Sequence, residues 1–105
     1  MYMIIQLYAE KYLQDLILCL TEVGIDDCIV IHGESLGHKL VYDIPLLMTF
    51  KSAIGTQKDY GNIIMGIAEK EDIEYLLSEL KHAGINFIEE NIGKIYLLPI
   101  AEVYE

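Results

Sequence analysis

The sequence repeats itself at an offset of 60 residues, and this repeat limits the possible folds more than any other feature. The matched positions in the first half are Leu13, Leu16, Ile17, Leu20, Val23, Gly24 and Ile25, and their counterparts are Ile73, Leu76, Leu77, Leu80, Ala83, Gly84 and Ile85. Both sets have helical spacing, and both finish in Gly-Ile, where glycine favours the end of a helix. The pattern therefore predicts a duplicated unit with one amphipathic helix in each half.

Each half also carries a β-rich run on either side of its helix. The runs are MYMIIQLYA and DDCIVIHG in the first half, and GNIIMGIA and KIYLLPIAEVY in the second. Two βαβ units in succession predict an α+β, ferredoxin-like βαββαβ fold, with an antiparallel four-stranded sheet and both helices on one face. The length of 105 residues suits a single domain, residues 1–105. Residues 34–60 fall outside the repeat and form a long connection between the second and third strands.

Composition excludes several classes of partner. Seventeen acidic residues stand against seven basic ones, all of them lysine, and the formal net charge is −10, so nucleic acid would be repelled. The apolar runs are far shorter than the ~20 residues of a membrane span, and the first residues lack a basic leader. We therefore expect a soluble, cytoplasmic protein without direct membrane insertion. A hydrophobic content of 53% predicts apolar surface for contact between subunits.

The connection and the last strand carry a resemblance to a known family. Around the connection the chain reads GIDDCIVIHGESLGHK, and before the last strand it reads NIGKIYLLPIAEV. These runs and the fold resemble the PII signalling superfamily, whose trimers contact partners through a "T-loop" between strands two and three. The corresponding T-loop-like insertion here is residues 34–60. The ligand-binding residues that the resemblance implies are Gly37, His38, Lys39, Gly93 and Lys94.

The resemblance implies a regulatory function without catalysis. It predicts a homotrimer that senses a small molecule, such as an adenine nucleotide, in the clefts between subunits and controls a partner, such as a membrane transporter. The loop residues that would bind the partner are Tyr42, Leu46, Leu47, Met48 and Phe50. The apolar ones among them have a second explanation, in which they fold back onto the subunit or a neighbour. Neither a G-x-S-x-G nor a Walker motif occurs in the sequence, so we expect no enzyme.

Departures from the family pattern weaken the prediction of phosphate binding. The family has a glycine-rich loop before the last strand, whose backbone amides bind phosphates. Here Glu89 and Glu90 bring negative charge to that place, and Ile92 replaces an expected glycine. The family arginines on the final strand fall on Glu102 and Glu105. Two alternatives stay open: a ligand with less charge than a triphosphate, such as a monophosphate or an adenosine-like molecule, and no ligand at all.

A divalent metal is the alternative ligand. His32, Glu34 and His38 flank the base of the connection, and strand alternation places His32 and Glu34 on the same side. Imidazole and carboxylate groups bind zinc or copper. The CutA-like metal-binding proteins share the predicted fold, although this chain lacks the tryptophan expected of them. A solvated loop base without a metal is the other explanation. Cys19 and Cys28 lie in apolar runs and are predicted to be free thiols.

Overall fold

A computed structural model describes residues 1–34, 36 and 60–105 of the chain. Four strands and two helices follow one another in the predicted order. They are β1 (Tyr2–Leu7), α1 (Leu13–Val23), β2 (Cys28–Glu34), β3 (Tyr60–Ile67), α2 (Lys70–His82) and β4 (Gly93–Leu98), with a 3-10 turn, Glu10–Tyr12, before α1. The strands form one sheet in the order β2-β3-β1-β4, and every neighbouring pair is antiparallel. The predicted ferredoxin-like α+β fold is therefore confirmed.

The hydrophobic core lies between one face of the sheet and the two helices. In β1, Met3, Ile5 and Leu7 are completely buried, whereas the residues between them are only partly buried. The helices contribute residues from their repeated positions, and these belong to the same cluster as the strand residues: Leu16, Leu20, Leu76 and Leu80. The alternation of buried and partly buried residues along β1 is what a strand shows when only one of its faces is covered. Both helices consequently occupy the same side of the sheet.

The two helices end in the same way, as the repeat predicts. Gly24 and Gly84 adopt positive φ angles of 94° and 83°, which glycine reaches without steric cost. In each case the following isoleucine turns back into the core, and its amide donates to the carbonyl of Leu20 or Leu80 at 2.8 Å. A 6→1 hydrogen bond with glycine at the left-handed position is typical of a Schellman end. The Gly-Ile pairs in the sequence are thus two copies of one helix terminator.

The last strand is shorter than the sequence predicts. We expected it to continue through KIYLLPIAEVY to Tyr104, but β4 ends at Leu98. Pro99 follows, and proline has no N–H to donate to a strand ladder. Residues 99–105 leave the sheet and are all exposed. The expectation of a longer strand was wrong, because it rested on the β-rich composition after Pro99 and gave too little weight to the hydrogen-bond donor that proline lacks.

Candidate functional site

A histidine at the end of β2 is held by a buried asparagine on the neighbouring strand. His32 and Asn62 are cross-strand partners on the helix side of the sheet, and Asn62 is only 3% exposed. The Nδ1 atom of His32 contacts Oδ1 of Asn62. Because a carbonyl oxygen can only accept, Nδ1 donates its proton in this contact. In the neutral ring, Nε2 then carries the lone pair with which a histidine binds a metal.

Glu34 follows two residues later on the same side of β2. It is opposite Tyr60 in the register, just as His32 is opposite Asn62, so the predicted common orientation of His32 and Glu34 agrees with the sheet. The other residue proposed for the metal, His38, lies outside the described residues, as do Gly37, Lys39, Tyr42, Leu46, Leu47, Met48 and Phe50. Within ranges 1–34 and 60–105, no group of three or more histidine, cysteine or acidic side chains is placed to hold a metal ion.

The segment before β4, where the resembling family has its phosphate loop, is a compact turn. Phe87 and Ile92 are buried at 2% and 5% exposure and anchor the turn in the core. The amides of Glu90, Asn91 and Ile92 all donate to carbonyl groups within the turn, at 2.9–3.1 Å. An anion site needs amides that point at the ligand, and these three are already used. The exposed carboxylates of Glu89 and Glu90 add negative charge to the same surface.

Gly93, a predicted ligand-binding residue, has a packing requirement of its own. A Cβ atom at this position would lie 2.6 Å from Cζ of Phe87 and closer still to the carbonyl oxygen of Gln6. Distances below 3.0 Å do not occur for real Cβ atoms, so only glycine lets β4 approach β1 here. Lys94, the next residue, is exposed and pairs with Gln6 on the opposite face of the sheet. Its ammonium group is the cation that β4 offers to a ligand.

The sheet face away from the helices is apolar, and none of the residues that the structure describes covers it. We call it the open face. Its members come from all four strands and pair with one another in register: Tyr2, Ile4, Gln6, Ile29, Ile31, Ile63, Met65, Ile67, Lys94, Tyr96 and Leu98. None of these side chains packs against the core cluster, and Ile29 is 63% exposed. Lys94 is the one charged residue among them. A continuous apolar face of this kind normally marks a contact surface.

The two cysteines are free, as predicted, and neither is an activated thiol. Burial raises the pKa of Cys19, and the nearby carboxylates of Glu22, Glu79 and Asp15 raise it further. The pKa of Cys28 is raised in the same way, first by burial and then by Asp27 and Asp26. A reactive cysteine needs a lowered pKa, because the thiolate is the nucleophile. These thiols therefore act as small apolar side chains.

Sequence reasoning missed two residues that shape this region. No pattern in the sequence marks Asn62, and its contact with His32 depends on a strand register that the sequence does not reveal. Phe87 lies in the segment that the resemblance treats as a loop, and an aromatic residue six positions before a strand glycine is the signal that could have indicated an anchored turn. No family model matches this chain, and no curated protein matches it. In the part of the chain that the structure describes, no helix has the length and apolar character to cross a bilayer.

Proposed function

We propose that this protein is a PII-like homotrimeric regulatory module, without catalysis, that binds a small molecule between subunits and controls a partner through residues 34–60. The observation that carries the proposal is the open face. A ferredoxin-like subunit whose uncovered sheet face is almost entirely apolar needs neighbours to remove that face from water. The resemblance described above supplies the trimeric arrangement, the ligand cleft and the regulatory loop.

The ligand in this proposal carries little negative charge. The amides of Glu90, Asn91 and Ile92 are used inside the turn, and the carboxylates of Glu89 and Glu90 would repel a triphosphate. Lys94 offers a single positive charge, which is too little to balance a triphosphate. We therefore propose an adenosine-like molecule or a nucleoside monophosphate rather than a nucleoside triphosphate. The partner is a regulated protein such as a membrane transporter, and the site of action is cytoplasmic.

The assembly is tested first, by light scattering after gel filtration at micromolar concentration. The expected mass is three times the chain mass of 12.0 kDa. Two matched variants separate the open face from the rest of the surface: Ile29→Glu and Leu18→Glu, at residues that are 63% and 58% exposed on opposite sides of the sheet. Ile29→Glu should dissociate the assembly because it buries a charge in the interface, and Leu18→Glu should not. A monomeric wild-type chain would refute the proposal.

The ligand is tested separately, by thermal denaturation with adenosine, AMP or ATP at equal concentrations. A ligand that binds the folded protein raises its melting temperature by mass action. We expect the rise to be larger with adenosine or AMP than with ATP. A larger rise with ATP would contradict the argument from the turn and its carboxylates, while leaving the assembly untouched. No rise with any of the three would remove the nucleotide from the proposal.

One observation favours a second function, the binding of a divalent metal at the end of β2. Metal-ligating histidines usually donate their other ring N–H to a neighbouring group, which fixes the tautomer. Asn62 accepts such a bond from His32, and Glu34 lies on the same side of the strand. These residues would supply one imidazole nitrogen and one carboxylate, a donor set that suits zinc or copper.

Calorimetric titration with zinc chloride tests this second function. His32→Gln should abolish the heat of binding, and His82→Gln, at an exposed histidine on α2, is the matched control. Affinity for the wild-type chain should fall as the pH is lowered, because protons compete with the metal for Nε2. Equal zinc binding by both variants would show that His32 is not a ligand.

A further inference from the structure

The segment that follows β4 carries apolar side chains that are exposed among the described residues, 1–34, 36 and 60–105. Ile100, Val103 and Tyr104 are 37%, 60% and 89% exposed, and none of them belongs to the core cluster or packs against it. The segment departs at Pro99, from the end of the sheet where Leu98 is opposite Tyr2. Three large apolar residues within five positions make this segment, residues 99–105, a candidate for contact with another surface.

The open face alone provides less area than a stable interface requires. Five of its residues are 42–63% exposed: Ile29, Ile31, Ile67, Tyr96 and Leu98. These exposures correspond to roughly 500 Å², whereas a standard interface buries about 800 Å² on each partner. The exposed residues of segment 99–105 correspond to roughly 400 Å² more, since one exposed aromatic side chain presents about 200 Å². In a ring, a subunit that gives its segment to one neighbour and its open face to the other removes both areas from water, roughly 900 Å² in all, divided between two contacts.

The charges of the two surfaces are complementary. Segment 99–105 carries Glu102 and Glu105 and has no basic residue. Lys94 is the one charged member of the open face. A carboxylate that reaches Lys94 at the border of an apolar contact would fix the register of the segment, because opposite charges favour one orientation and like charges oppose the others.

We propose that segment 99–105 of one copy of this chain lies on the open face of a second copy, with the carboxylate of Glu102 paired to Lys94. The inference rests on the proposed homo-oligomer and adds the segment that completes its interface. Contact with the chain's own open face is disfavoured because the segment already leaves the sheet with its apolar residues exposed. Each subunit then gives one segment and receives one, which is how a heterologous contact closes into a ring.

The first test measures the oligomer's dissociation constant by sedimentation at several concentrations. The variant Val103→Ser with Tyr104→Ser should raise that constant at least tenfold, because both side chains lose their burial in the partner. Leu18→Ser, on the outer side of α1, is the matched control and should leave it unchanged. An unchanged constant in the segment variant, with Ile29→Glu still dissociating the assembly, would overturn this inference and leave the proposed oligomer standing. An assembly that survives Ile29→Glu would instead overturn the open-face interface itself.

The second test uses charge exchange to ask whether the contact joins two chains. Lys94→Glu and Glu102→Lys should each weaken assembly about threefold to tenfold. A mixture of the two variant chains should assemble more tightly than either variant alone, because each can then meet the opposite charge on its partner. Rescue when both substitutions share one chain, without rescue in the mixture, would place the contact within a single subunit and overturn the inference.

Discussion

Substitution of Gly93 by alanine should destabilise the fold strongly, although it adds a single methyl group. The added Cβ would lie 2.6 Å from Cζ of Phe87, and even closer to the carbonyl oxygen of Gln6. Overpacking a core costs about 1–3 kcal/mol when side chains can adjust. Here one obstacle is the backbone of β1, which can retreat only by loosening its pairing with β4. We therefore expect a loss of about 3 kcal/mol, a large part of the ~5–15 kcal/mol that stabilises an ordinary domain.

Urea melts monitored by circular dichroism, at one fixed protein concentration, would measure this loss. With a slope of about 1.5 kcal/mol per molar urea, the midpoint should fall by about 2 M. Gly61→Ala is the matched control, because Gly61 is also a strand glycine but its added Cβ would have no atom of the described residues within 4 Å, its chain neighbours aside. It should change the free energy of unfolding by less than about 1 kcal/mol.

A double-mutant cycle would identify the cause of the loss. Combining Gly93→Ala with Phe87→Leu should cost less than the sum of the two single changes, by at least ~0.5 kcal/mol, because the shorter side chain removes one of the two clashes. Equal losses for Gly93→Ala and Gly61→Ala would refute the packing argument. The glycine at residue 93 would then need another explanation, and the ligand-binding role that the resemblance implies would be the first to examine.

Three further predictions concern the helices and a thiol. Gly24→Ala and Gly84→Ala should each lower the free energy of unfolding by about 1 kcal/mol in urea melts, because the two φ angles are both positive and nearly equal. Gly24→Asn should cost less, and a difference of more than about 1 kcal/mol between the two alanine variants would contradict the equivalence of the two helix ends. Asp72→Ala should cost about 1 kcal/mol, because the Asp72 carboxylate accepts from the amide of Glu69, the residue before α2, in a capping box. No change in thermal stability would show that the cap is dispensable. Cys28 should react with iodoacetamide more slowly than free cysteine at pH 8, because burial raises the pKa of its thiol. The neutral thiol stabilises the fold below the ordinary thiol pKa, and this stabilisation is lost as the pH rises through the pKa of the folded state. A reaction rate equal to that of free cysteine would refute the raised pKa.

The sequence was sufficient for the architecture because the repeat carries its own terminators. Leu16, Leu20, Leu76 and Leu80 were predicted to face the core at helical spacing, and all four are buried. Ile17 belongs to the same repeat but is 39% exposed, since a periodic pattern gives the apolar side of a helix without its limits. The β-rich composition of the four runs predicted the four strands in the same way, except that β4 ends at Leu98, before Pro99.

The candidate site was harder to predict because it depends on contacts between distant parts of the chain. His32 was recognised as a potential ligand, but the residue that orients it lies 30 positions away and meets it only through the register of β2 and β3. The turn before β4 was predicted as a loop of altered charge. Its internal hydrogen bonds depend on how deeply Phe87 and Ile92 enter the core, which local sequence does not specify.

The sheet order has a consequence for how the chain folds. Strands β1 and β2 belong to the first repeat and β3 and β4 to the second, yet the order β2-β3-β1-β4 pairs no strand with another from its own half. Each ladder therefore joins the two halves, and the pairing of Tyr2 with Leu98 brings together residues from nearly opposite ends of the sequence. Neither half can form its hydrogen-bonded sheet while the other is unfolded. Such non-local pairing slows folding and makes it a single cooperative event, in which the duplicated halves are unable to act as independent folding units.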